Sequence, residues 1–167
     1  IGNHLTRFSE SKVFEKYYPE RSEVPQEGFF CNNANSALSR AVWVHHPFDE
    51  DLTGLEDMHL AKQLVDGGHQ IGYVAEAAVY HIHHESWAQI RRRYEREAIA
   101  LRHILPEIQV GIADLGRYIA SSVLHDFGEA VREHVFVRYA PEILRYRIAQ
   151  YWGGYRGNHT HRRLSQA

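Results

Sequence analysis

Glu56 and Asp57 stand side by side where an acidic, glycine-bearing stretch, Phe48-Asp49-Glu50-Asp51-Leu52-Thr53-Gly54-Leu55, meets an apolar run at helical spacing. Backbone N–H groups and the helix dipole favour negative charge at a helix N-terminus, and a carboxylate there can accept a proton from a hydroxyl. Acidic residues that merely cap a helix give the same pattern. A second feature is Tyr80-His81-Ile82-His83-His84. Strand alternation would put His81 and His83 on one face, which is either a metal-ligand arrangement or a polar strand end. A third is Asn32-Asn33-Ala34-Asn35-Ser36, whose short polar side chains favour turns and leave the backbone accessible.

The elements that must hold these groups follow from periodicity. Leu60, Leu64 and Val65 predict a helix from Glu56 to a stop at Gly67-Gly68, which puts Asp57 in the first turn. Residues 70–74 and 77–83 read as two short strands, the second rich in β-branched and aromatic residues. Residues 9–16 suggest a short helix ended near Pro19, and 37–44 fit either helix or strand. Ser86 with Gln89 forms a capping box for a long helix with an apolar stripe through Trp87, Ile90, Tyr94, Ala98, Leu101 and Leu105. Arg91, Arg92, Arg96 and Arg102 lie on its other face, either paired with Glu95 and Glu97 or facing an anionic membrane surface. A further helical pattern covers 112–138, weakened by Gly116 and Gly128, and another runs from Pro141 to a stop at Gly153-Gly154.

A chain of 167 residues with a formal charge of −2, 44% hydrophobic and 24% charged, is sized and composed for one folded domain rather than for disorder. The charge is divided: residues 1–85 carry six Lys/Arg against 13 Asp/Glu, residues 86–167 carry 13 Arg against eight acids. The 13 histidines make surface charge sensitive to pH near neutrality. The single cysteine, Cys31, cannot build a disulfide framework; with no leader at Ile1, a cytoplasmic setting is expected, peripheral to the inner face of the membrane if membranes are touched. Nucleic-acid binding is not expected, because no groove-reading motif accompanies the arginines.

Taken in order, Phe30-Cys31-Asn32-Asn33-Ala34-Asn35-Ser36-Ala37-Leu38-Ser39-Arg40, then Pro47 to Asp57, then Gly68 through Val74-Ala75-Glu76-Ala77 to Tyr80-His81, resemble the C-terminal half of family 2 glycosyltransferases with the GT-A fold, bacterial rhamnosyltransferase-like members among them. The resemblance covers about residues 1–105, and Tyr151 to Asn158 more weakly resemble the helical extension of some members. It implies an inverting transfer of sugar from a nucleotide-diphosphate donor to a polysaccharide or lipid-linked acceptor in cell-envelope assembly. Asp57 would be the general base, with Glu56 positioning the acceptor or holding the helix end. Asn33, Asn35, Ser36 and Leu55 would line the donor-sugar pocket. His81, with His83 in reserve, would complete a Mg²⁺ or Mn²⁺ site with the diphosphate, the imidazole leaning toward Mn²⁺.

The family begins with a Rossmann-like half bearing an Asp-x-Asp motif, and here the only string of that form, Asp49-Glu50-Asp51, belongs to the later loop. Ile1 is therefore expected to be a cut edge, and the chain an enzyme fragment inactive alone. The expected architecture is α/β, a partial GT-A unit over 1–85 with its nucleotide-binding half missing, then a helical extension over 86–158 and a disordered tail over 159–167. The alternative is a non-enzymatic helical module that docks on a membrane or partner, attached to a truncated glycosyltransferase fold.

Overall fold

The computed structural model describes Gly2 and residues 5–160. Among these, six helices follow one another: α1 (Phe8–Tyr17), α2 (Arg40–Trp43), α3 (Glu56–Asp66), α4 (Trp87–Ile104), α5 (Ile112–Arg132) and α6 (Phe136–His159), with 3-10 turns at Asn33–Asn35 and Ala75–Ala77. The expected α/β half is not what forms, since the described residues contain no strand and no sheet.

The failed strands have a local cause. A single antiparallel bridge joins Glu23 and Tyr73 through reciprocal bonds of 2.9 and 2.8 Å, and Gln26 N–H reaches the Ile71 carbonyl at 2.8 Å. Between them Pro25 has no N–H to donate, so the ladder cannot extend. Ala75–Ala77 then coils into a 3-10 turn, and Tyr80, in the expected second strand, is 71% exposed. High β propensity in 77–83 describes a surface that fits a sheet, not a backbone that makes one alone.

The helices over 86–159 form the core. α4 opens with the capping box read in the sequence: Gln89 N–H donates to Ser86 Oγ, and Ser86 N–H to Gln89 Oε1 at 2.9 Å. Of its expected apolar stripe Ile90 is buried and Trp87, Tyr94, Ala98, Leu101 and Leu105 are half-buried, while Ala100 and Ile104 beside it are buried too. The Tyr94 hydroxyl meets that of Tyr146 at 2.9 Å, and the Arg7 guanidinium covers Trp87 at 4.0 Å. Glu95 pairs closely with Arg156 and Glu97 with Arg93, and of the outward arginines Arg96 adds an electrostatic pull on Glu97. Of those, Arg92 and Arg96 are exposed, while Arg102 donates to the Asn158 carbonyl at 2.5 Å.

α6 begins before Pro141 and runs through Gly153-Gly154, the stop read in the sequence. The reason is contact with α4: a Cβ at Gly153 would collide with the Arg91 carbonyl, and one at Gly157 with the Glu95 carbonyl. These glycines permit close helix approach instead of ending a helix. α5 stops earlier than 138, where His134 takes a left-handed φ of 58° and Val135 N–H returns to the Ala130 carbonyl at 2.8 Å, a Schellman closure. His159 closes α6, and the remainder of the tail expected to be disordered, 161–167, lies outside the described residues.

α1 packs into this bundle. Phe8 joins Ala130 and Ile143 in the core and stacks on Tyr139 at 5.3 Å. Beside it, Ser9 Oγ donates to Asp126 at 2.7 Å, and Arg147 grips the same carboxylate through Nε and Nη2 at 2.7 and 2.9 Å. Asp126 is fully buried, and burial alone would raise its pKa, but the Arg147 and Ser9 hydrogen bonds reverse that to a net lowering.

Candidate functional site

α3 places Asp57 as the sequence predicts. Leu60, Ala61 and Leu64 bury one side of the helix, and its end is a Schellman turn in which Gly68, φ 85°, lets His69 N–H reach the Leu64 carbonyl at 2.9 Å. At the other end Leu55 occupies the left-handed region, φ 56°, ψ 24°. A non-glycine residue there carries about 1 kcal/mol or more of strain, which the packing of neighbouring Leu52, 8% exposed, helps to hold. That kink turns Glu56 and Asp57 into the first turn of α3.

Asp57 then bridges two segments. Its Oδ1 accepts from Met58 N–H at 2.8 Å, and its Oδ2 accepts from Asn33 N–H at 2.8 Å, 24 residues away in sequence. The asparagine turn is shaped for this: Asn32 Oδ1 accepts from Ala34 N–H at 2.8 Å, an Asx turn that sets up the 3-10 helix Asn33–Asn35. Ser36 Oγ stands 3.2 Å from Asn33 Oδ1. Asp57, Asn33 and Ser36 line one open cavity of about 230 Å³. Asn35, Ser36 and His81 line an adjoining one of about 440 Å³, and Cys31, Ala37, Ile71 and Gly72 belong to both. Glu56 and Leu55 line neither; they shape the entry to α3.

His81 and His83 lie together without a strand to alternate them. Their Nε2 atoms are 2.7 Å apart, and His83 Nδ1 lies 2.7 Å from Glu10 Oε1. Glu10 is 3% exposed on α1 and also receives Arg93 Nη2 at 3.1 Å. Burial, then the neighbouring His83, lowers the His81 pKa, so the neutral ring is favoured. Glu10 holds His83 through Nδ1, and His83 in turn meets His81 through Nε2, so one carboxylate orients both rings. A Mn²⁺ or Mg²⁺ ion would take His81 as a single imidazole ligand and would need the rest of its shell from the oxygens of a diphosphate. Among the described residues, the groups of three or more ligating side chains close enough to share an ion are Asp49–His59–His103 and Glu10–His83–Glu85, and His81 is in neither.

Three participants escape sequence reading. Glu10, which orients His83, lies 73 residues from it, and nothing local marks it. Cys31 faces both cavities with its thiol pKa raised by burial and by Asp57, so it stays protonated. Tyr18 accepts the Asn32 side-chain amide at 2.7 Å, and burial raises its pKa. Adjacency to the asparagine run was the available signal for Cys31. No family model, curated protein or solved structure matches this chain.

Proposed function

We propose that these residues form the acceptor side of an inverting glycosyltransferase, with Asp57 as general base. The observation that carries the reading is the Asp57 carboxylate, fixed by the N–H groups of Asn33 and Met58 at the wall of an open cavity. Two backbone donors orient a carboxylate without a cation competing for it. An acceptor hydroxyl gives its proton to Asp57, its oxygen attacks the anomeric carbon, and the bond to the nucleoside diphosphate breaks on the opposite face. A divalent cation at His81 would stabilise the departing diphosphate. Asn33, Asn35 and Ser36 offer amide and hydroxyl groups to the sugar, Leu55 sets the backbone entry to Asp57, and Glu56 positions the acceptor or holds the helix end.

The donor is a nucleotide sugar, its nucleotide held by polypeptide outside these 167 residues, and the acceptor is a glycan or a lipid-linked glycan. The setting proposed is the cytoplasmic face of the membrane; no helix of the described residues is long and apolar enough to cross one. The test is sugar transfer from a panel of nucleotide sugars, assayed for the 167 residues alone and for the polypeptide extended by its upstream coding sequence. Turnover by the extended form only is expected. Robust turnover by the 167 residues alone contradicts the proposal, as does its absence from both.

One observation favours the alternative of a docking module. Val137, Leu144, Ile148 and Trp152 recur on one face of α6, 90, 42, 50 and 42% exposed. If docking is the function, Val137→Asp with Ile148→Asp abolishes association with a partner chain, while Asp57→Asn does nothing measurable. If transfer is the function, the dependence is reversed.

A further inference from the structure

Asp49, His59 and His103 come from three separate elements, the acidic loop, the first turns of α3 and the last turn of α4, and their ligand atoms all lie within 4.8 Å of one another. We infer that they form a zinc site that clips the acidic loop and α3 to α4. Two imidazoles and one carboxylate are a donor set that Zn²⁺ takes readily, with water as the fourth ligand. The site is distinct from His81 and from the diphosphate cation, and it does not depend on sugar transfer.

The local hydrogen bonding suits it. Asp49 Oδ1 is occupied by Asp51 N–H at 3.0 Å, while Oδ2 turns to His59 Nδ1 at 3.7 Å. That separation is too long for a hydrogen bond but close to the donor–donor spacing of about 3.4 Å that tetrahedral bonds of about 2.1 Å require. On the far side of the ring, His59 Nε2 meets the side-chain amide of Gln63 at 3.4 Å. A half-turn of that amide presents its oxygen to Nε2–H, the outer hydrogen bond that fixes a ligating imidazole. The rings of His59 and His103 stand 5.7 Å apart, and His103 is exposed, so its ring can close the remaining gap.

The second cluster is already filled. Arg93 donates to Glu10 at 3.1 Å and to Glu85 at 2.9 Å, and a guanidinium between two carboxylates occupies the place of a cation. Among the described residues Asp49 has no lysine or arginine partner. The C-terminal end of α4 also favours positive charge near His103.

The clip has a structural consequence. The loop from Asp49 leads through buried Leu52 to the strained Leu55 and so to Glu56-Asp57; zinc would anchor its start as Leu52 anchors its middle.

The test is equilibrium dialysis of the full chain against zinc, with bound metal measured by elemental analysis and folding checked by circular dichroism. One zinc is expected at this site, with affinity reduced at least about tenfold in both His59→Gln and His103→Gln and unchanged in the exposed His45→Gln. Zinc should also raise the thermal midpoint of the wild type and not that of His103→Gln, whose exposed side chain is not needed for folding. No zinc on the wild type overturns the inference. So does undiminished binding by either of the first two variants, or an equal loss in His45→Gln.

Discussion

Asp57 and Asp126 are both carboxylates on helices, and their surroundings give them opposite tasks. Asp57 accepts from two backbone N–H groups and keeps one side toward a cavity. Asp126 is sealed among Arg147, Ser9 and the core, with no surface left for chemistry. Asp126→Ala should destabilise the fold by about 3–5 kcal/mol, because it strands the buried Arg147 charge. The pH dependence has a definite sign. The folded pKa of Asp126 lies below its ordinary 3.8, so its contribution is present above that value and lost as pH falls through the folded pKa. Urea unfolding from pH 5 downward should show this loss in the wild type and not in the variant. The residues legible in the sequence were those whose partners are local or whose spacing is stereotyped: Asn32 to Ser36, and Glu56-Asp57 at a helix start. Glu10 was illegible because its role exists only once α1 meets His83 and Arg93.

At the scale of elements, the periods of helices survived, and of the two helix stops read from glycine pairs one held and one did not. Gly67-Gly68 ends α3 because nothing crowds Gly68 and its φ is positive. Gly153 and Gly157 look identical in sequence terms, yet they sit where α4 backbone carbonyls press against α6. Alanine at either position gains about 1 kcal/mol of helix propensity and loses about 1–3 kcal/mol to overpacking, so a net destabilisation is expected. Gly154 meets nothing within 4 Å, and Gly154→Ala should stabilise. Thermal midpoints of Gly157→Ala and Gly154→Ala moving in opposite directions would confirm close helix contact; movement in the same direction would refute it. The strands failed for a related reason. Strand propensity in 77–83 depends on neighbours, and the one bridge among the described residues, at Tyr73, is cut short by Pro25.

At the scale of the molecule, the opposite charges of the two halves acquire a structural meaning. Acidic residues of the first half reach the arginines of the second through Glu10 and Glu85 on Arg93, while Arg7 reaches back to Glu142. The charge asymmetry between the two halves is in part the internal attachment of α1 to the bundle. What remains on the surface is the cavity pair around Asn33, Asp57 and His81, and the account rests on Asp57 being a base there. The most direct measurement is single-turnover sugar transfer by the extended polypeptide, wild type against Asp57→Asn, with donor binding measured in parallel. The account predicts transfer reduced about 10²–10⁴-fold with donor affinity and folding unchanged; transfer retained in Asp57→Asn would contradict it.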